Sequence, residues 1–447
     1  MISVFRLVGV HKTRTQNRSV YYRGEKMIPA IIAFALTYVL MIALPKYRCY
    51  VALVSAVITV VFGFLPIGNV FGAVDWNIIL MLSGTMITVS YFIESKMPNR
   101  LADAILSVCP NIMTATVAMS LFAGLVSAFI DNVATVLMIA PVGIAMSKKL
   151  KISPVSMIIA IAVSSNLQGA ATLVGDTTSI MLGGAAGMNF NDFFFMNGKP
   201  GIFWAVQLGA VATVPIIMFL FRKHREKISI KERTEVNGIM PSVFLLLTVG
   251  LLIAASFIEN KPEITNGLIC TVVAVCAVVW SIIKNKNISG LKNAIGEFDW
   301  QTILLLASLF IVIAGVENMG VINEISHIMV KFGGSSRFLM YTIIVFGSVL
   351  ISAFIDNIPY VATMLPVITA ISASMECDPN LFYFGLLIGA TLGGNITPIG
   401  ASANIAGIGI LKKNGYEVKN SDFFRIGVPF TAAAVLAGYA FCWFVWA

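Results

Sequence analysis

Charge is what this sequence has least of. Only 11% of its 447 residues are charged and 58% are hydrophobic, whereas soluble globular chains carry about a quarter charged residues. So little charge cannot cover a water-soluble surface, which excludes a soluble enzyme or binding domain of this length. Histidine is also scarce: His11, His224 and His327 fall in a tail or in predicted loops, so no clustered metal site can form. The six cysteines, Cys49, Cys109, Cys270, Cys276, Cys377 and Cys442, are scattered without a CxxC pair and read as small apolar residues. The basic excess of +9 lies between apolar runs and forms no stripe, so nucleic acid is not an expected partner.

What is present is a succession of long apolar runs. A hydrocarbon layer of about 30 Å is crossed by about 20 helical residues. Ten such spans are predicted, at 27–44, 49–66, 76–93, 155–173 and 201–221, then at 240–258, 267–283, 300–316, 381–396 and 424–446. Between the third and fourth span of each half lies a further apolar stretch, 112–147 and 338–374, interrupted in its middle by Asp-Asn. An Asp-Asn pair cannot face lipid, so each stretch reads as a re-entrant hairpin with Asp-Asn at its tip; two ordinary spans are the alternative.

The two halves are repeats. The hexapeptide SAFIDN occurs at 127–132 and again at 352–357, an offset of 225. Pro141-Val142 returns as Pro366-Val367, and Thr172 with Gly175 returns as Thr397 with Gly400, in the same register. Five spans and a hairpin per half is an odd count of crossings, which makes the repeats inverted. The expected fold is therefore an all-α polytopic membrane protein of about ten transmembrane helices in two inverted repeats, each with a re-entrant hairpin and a broken helix. Its segments are a tail at 1–26, a first repeat at 27–221, a basic linker at 222–239 and a second repeat at 240–447.

Basic residues set the expected orientation. Lys46, Arg48, Lys96, Arg100, Lys148, Lys149, Lys151, the 222–233 run, Lys284, Lys286, Lys292, Lys412, Lys413, Lys419 and Arg425 fall on one side. Under the positive-inside rule that side, including 222–239, is cytoplasmic and the protein is a multi-pass protein of the cell (inner) membrane. The tail, with Arg6, Lys12, Arg14, Arg18, Arg23 and Lys26, is placed opposite and breaks the rule. The expectation is that translation starts at Met27.

Chemistry concentrates where the fourth span of each half breaks, at 166–179 and 393–404. Glycines relieve strain there, Pro398 removes a donor, and an unwound turn exposes carbonyls to a cation while half-helix N-termini favour an anion. A carboxylate in mid-membrane costs about 2.5 to 3.5 kcal/mol on insertion scales, which marks Asp131, Asp176 and Asp356 as functional. No Arg, Lys or His occurs within the hairpins or broken helices, so protons or bound cations are the expected partners; helix capping is the alternative for Asp131 and Asp356. The candidate substrate or ion ligands are Asp131, Asn132, Asn166, Thr172, Asp176, Thr177, Thr178, Ser179, Asp356, Asn357, Asn395, Thr397, Ser402 and Asn404.

The strings SAFIDNVATVLMIAPV and SSNLQGAATLVGDTTSIMLGGAAGMNFNDFF resemble the first-half signature of the ArsB/NhaD permeases of the ion transporter superfamily, and the resemblance runs from Met27 to Ala447. That group, with its citrate transporter-like domain, includes arsenite permeases, sodium/proton antiporters and the P protein, and is more distantly similar to divalent-anion/sodium symporters. Members commonly read Asp-Pro-Pro-Asn where this chain has Asp176-Thr177-Thr178-Ser179, which alters the ligand set. The resemblance implies an elevator in which hairpins and broken helices carry the site past a scaffold, usually in a homodimer in the bilayer. The leading expectation is Na⁺/H⁺ antiport without a cofactor, Na⁺ or H⁺ being the coupling ion. The alternatives are efflux of arsenite or antimonite, Na⁺-coupled carboxylate transport, and, from another class, an intramembrane aspartyl protease using Asp131 and Asp356.

Mass spectrometry of the protein purified from its native membrane is expected to find Met27 at the N-terminus. Peptides from the Ser3 to Arg23 stretch would show that the tail is made and retained.

Overall fold

The computed structural model describes residues 26–150, 152–224, 226–227, 233–286, 289–296, 298–334 and 336–447. The tail call therefore lies outside the described residues except for Lys26, and so do positions 225 and 228–232 of the basic linker. The first half contains α1 (Lys26–Ala43), α2 (Arg48–Val61), α3 (Val70–Ala73), α4 (Trp76–Glu94), α5 (Met97–Val108), α6 (Ile112–Ser127), α7 (Asn132–Lys149), α8 (Val155–Gly169) and α9 (Thr177–Ala185). A two-strand hairpin, β1 (Phe195–Met196) with β2 (Lys199–Pro200), precedes α10 (Ile202–Phe221). The second half runs α11 (Met240–Ala255), α12 (Thr265–Asn285), α13 (Ser289–Gly296), α14 (Trp300–Asn318), α15 (Val321–Gly333), α16 (Arg337–Ser352), α17 (Asn357–Ser374), α18 (Asn380–Gly393), α19 (Ser402–Lys413) and α20 (Asn420–Trp446).

Among the described residues, seven helices are long and apolar enough to cross a membrane: α1, α4, α10, α12, α14, α17 and α20. The molecule is an all-α polytopic membrane protein. Several of the sequence-predicted spans are shorter as helices, α2 at 14 residues, α8 at 15 and α18 at 14. For α8 and α18 the reason is the break itself, since α9 and α19 follow after the unwound turns. The helix α17 has the length of a span but is the most enclosed of the seven, 67% buried against 17% for α1, so protein and not lipid surrounds it.

The repeat is visible in how helices meet. In the first half α6 turns through 128–131 into α7 and α8 packs on α6; in the second, α16 turns through 353–356 into α17 and α18 packs on α16. The second helix of each half instead crosses to the other half, α2 lying on α14 and α12 on α4. Gly84 on α4 admits the α12 backbone at Cys270, and Gly315 on α14 admits Thr59 of α2. Small residues at a crossing are the usual way for membrane helices to gain contact, because burial from lipid supplies no hydrophobic drive. Two amphipathic connectors, α5 and α15, precede the hairpins; they were not foreseen as separate elements, since each merges in sequence with the neighbouring apolar run.

The unwound turns close onto the hairpin tips by the same contacts twice. Thr172 Oγ1 donates to the carbonyl of Ala128, and Thr397 Oγ1 donates to that of Ala353. The tip and the break come so close that a Cβ on Gly175 would lie 2.6 Å from the Gly169 oxygen and 2.7 Å from that of Ser127. On Gly400 it would lie 2.6 Å from the Gly394 oxygen and 2.8 Å from that of Ala353. Backbone oxygens cannot yield as a flexible side chain would, so Gly400→Ala is expected to destabilise by about 1–3 kcal/mol or more. A lowered unfolding midpoint of the detergent-purified variant checks this, and an unchanged midpoint would show that tip and break are free to separate.

Candidate functional site

Each hairpin tip presents its aspartate at a helix start. Asp131 Oδ1 accepts the backbone N–H groups of Val133 (3.0 Å) and Ala134 (3.1 Å), and Asp356 Oδ1 accepts that of Ile358 (3.2 Å). The capping alternative is thus realised at both tips, which leaves each carboxylate one further oxygen for other work. Asp176 sits at the N-cap of α9, and its Oδ2 accepts from Thr178 Oγ1 (2.8 Å) and Asn357 Nδ2 (3.3 Å).

Amides then tie the two halves across the middle. Asn132 Nδ2 donates to Asn166 Oδ1 (2.9 Å), and Asn166 Nδ2 donates to the Thr391 carbonyl (2.6 Å) and to Asn395 Oδ1 (3.0 Å). Asn395 Nδ2 returns to the carbonyl of Val163 (3.0 Å), and Thr178 and Thr391 share a hydroxyl contact of 3.2 Å. Thr391 occupies the repeat position of Asn166, 225 residues on, and was not foreseen because a threonine in an apolar run carries no local signal. Ser179 Oγ bonds to the Gly169 carbonyl and, at the equivalent place, Asn404 Nδ2 bonds to that of Gly394. Asn404 Oδ1 is buried without a partner among the described residues.

A cavity of about 750 Å³ opens beside this network. Asp131, Asn132, Asp176, Thr177, Asn357 and Ser402 line it. Asn166, Thr172, Thr178, Ser179, Asn395, Thr397 and Asn404 are buried in the walls, where they hold the lining in place. Three charged residues outside the predicted set also line the cavity: Arg48, Glu94 and Asp299. Asp299 caps α14 by accepting from Thr302 N (3.0 Å) and Thr302 Oγ1 (2.6 Å).

Arg48 corrects the expectation for Asp356. Its Nη1 lies 2.5 Å from Asp356 Oδ2, Ser402 Oγ donates to the same oxygen at 2.8 Å, and Arg48 Nη2 reaches Ser402 Oγ at 3.4 Å. Asp356 is therefore neutralised by a guanidinium and needs neither a proton nor a metal ion. Arg48 was assigned to a basic loop, but it is the first residue of α2 and points into the cavity. The sequence windows that lacked a cation were local, whereas the partner comes from 308 residues away.

The basic linker meets the ends of α4 and α12 and the start of α6. Asn237 of the linker bonds to the carbonyls of Glu94 and Ser95, Lys284 Nζ donates to the Asn237 carbonyl, and Met113 N bonds to the carbonyl of His224. The cavity reaches Glu94, at the same end of α4, and Ala294.

A profile of the citrate transporter family, CitMHS, matches residues 38–260 and 251–447. The chain belongs to this family. Its ArsB/NhaD-like signature is consistent with that membership, within the ion transporter superfamily. The uncharacterised transporter Rv2685 of Mycobacterium tuberculosis is 29% identical over 433 residues, covering 93% of this chain and 98% of that one. The human P protein is 24% identical over 510 residues, covering 94% of this chain and 60% of that protein. The solved YdaH transporter of Alcanivorax borkumensis superposes with a TM-score of 0.58 at 11% identity, covering 84% of this chain and 86% of the other, and shares the fold. The family and relatives such as Rv2685 are described as transporters, which points away from enzymes. Asp356, one of the two carboxylates of the protease alternative, is paired with Arg48 in this structure.

Asn166 is the joint of the amide network. Asn166→Ala would strand the Asn132 and Asn395 amides and the Thr391 carbonyl, at about 1–3 kcal/mol for each buried group left unpaired. The unfolding midpoint of the purified variant is expected to drop well below that of Ser107→Ala, an exposed control; equal midpoints would show that the network does not bind the halves together.

Proposed function

We propose that this chain is a secondary-active cation transporter of the cell membrane that exchanges Na⁺ for H⁺ by alternating access. The observation that carries the reading is the charge of the cavity. Glu94, Asp131, Asp176 and Asp299 line it, and its cationic lining residue, Arg48, is already paired with Asp356. A cavity of that balance attracts cations and repels free anions. Among the described residues no three His, Cys, Asp or Glu side chains converge on one point. A hard cation would accordingly be held by one carboxylate, Asp131 or Asp176, with neutral oxygens such as that of Thr177 completing the set. Competition between that cation and a proton for the same carboxylate gives exchange. With the basic loops taken as cytoplasmic, the cavity is open inward. The crossed pairs α2 with α14 and α4 with α12 would form the scaffold past which the hairpins and broken helices move.

One observation favours a second reading, cation-coupled carboxylate transport. Of the four half-helix starts at the site, α7, α9 and α17 carry aspartate at the cap, whereas α19 begins after Ala401 with Arg48 close to Ser402. A positive helix end beside a guanidinium suits a carboxylate, and the family's description as citrate transporters agrees with it.

Inverted membrane vesicles carrying a ΔpH distinguish these. Na⁺ or Li⁺ is expected to dissipate the gradient, and Asp176→Asn to abolish the response while the protein stays in the membrane. Dissipation by citrate only in the presence of a cation would favour the second reading, and by arsenite an oxyacid exporter. No response to Na⁺ or Li⁺ would remove exchange as the function.

A further inference from the structure

The two SAFIDN tips are identical in sequence and unequal in occupancy. At the second tip all of the aspartate is engaged: Asp356 Oδ1 by the Ile358 N–H, Oδ2 by Arg48 Nη1 and Ser402 Oγ. At the first tip Asp131 Oδ1 caps α7, and Oδ2 has no hydrogen-bond partner among the described residues, in a side chain that lines the cavity. Thr177, which stands at the place of Ser402, makes no bond to Asp131 among the described residues. The serine that opens each tip differs too, since Ser352 Oγ donates to the Ala390 carbonyl at 2.5 Å and Ser127 Oγ has no partner among the described residues.

We infer that Arg48 is a resident counter-cation for Asp356, which withdraws the second tip from ion exchange and leaves Asp131 and Asp176 to carry the transported cation. The inference rests on the exchange reading given above and names which carboxylates perform it. Arginine stays charged at any physiological pH, so a guanidinium inside the membrane demands a counter-charge in the inward-open state. Arg48 belongs to α2, which packs on α14, and Asp356 to the tip between α16 and α17. The pair therefore joins the crossed helices to the hairpin in this state, and parts when the hairpin moves past them. A positive group this close to Asp356 excludes Na⁺ from that carboxylate, because two cations at contact distance in a low dielectric repel strongly. Asp356 would thus matter for the charge it cancels and not for an ion it carries.

The double-mutant cycle at 48 and 356 separates these roles. The readout is ²²Na⁺ uptake into proteoliposomes driven by a pH gradient, with thermal unfolding measured in Na⁺-free buffer. Asp356→Asn alone leaves Arg48 uncompensated beside the cavity and is expected to cut uptake at subsaturating Na⁺ by roughly tenfold or more. Adding Arg48→Gln removes that charge and is expected to restore uptake to within about threefold of wild type. A double variant that folds and stays as inactive as Asp356→Asn overturns the inference, since Asp356 would then carry the ion itself. Arg48→Gln alone frees a carboxylate and is expected to tighten the apparent Na⁺ affinity several-fold, with Arg48→Lys close to wild type. An unchanged affinity in Arg48→Gln overturns the inference even where the double variant does not fold. A wild type that moves no alkali cation ends the exchange reading; the unfolding midpoints still test the pairing, which falls if Asp356→Asn and the double variant melt alike.

Discussion

In hydrocarbon a peptide group has no water to turn to, so every break in a helix must find its partners inside the protein. Thr172 and Thr397 meet that constraint by donating to the carbonyls of Ala128 and Ala353 at the hairpin tips. Each bond ties an unwound turn to a tip, and together they hold α6 to α9 and α16 to α19 as paired units. The remaining geometry follows. Glycine is required at 175 and 400 because the backbones touch, and aspartate caps each tip because a helix that starts inside the membrane needs acceptors for its first N–H groups.

The repeat supplies a frame that the site then departs from. Asn166 and Thr391 occupy equivalent places, yet the first is an amide that bridges three partners, while the second receives it at its carbonyl and turns its hydroxyl to Thr178. Asp176 is answered by Ala401, so one broken helix carries a buried carboxylate and the other leaves its N-terminus open. With Arg48 reaching over from α2, the aspartate of the second tip is neutralised, whereas that of the first lines the cavity.

That cavity explains why so many buried polar residues accumulate without a metal cluster among the described residues. The amides and hydroxyls in its wall satisfy one another, which makes the wall rigid and keeps its cost low in a poor dielectric. The carboxylates at its surface do not neutralise one another. A transporter of the citrate transporter family is served by this division between a rigid wall and an unsatisfied lining.

Hydropathy, period and repetition made most of the fold legible from the chain alone. Spans, hairpins, breaks and the register of 225 are properties of adjacent residues, set by the need to match apolar length to a membrane and to hide Asp-Asn from lipid. Asp131, Asn132, Asp176, Thr177, Asn357 and Ser402 could be named for the same reason and do line the cavity. The amphipathic connectors α5 and α15 blurred into their neighbours. Thr391, Glu94 and above all Arg48 gave no local sign of their place, and Arg48 looked like one more loop cation. Which carboxylate would be neutralised was decided only by the crossing of α2 onto α14, because an ion pair between residues 308 apart depends on where helices meet and not on what flanks them.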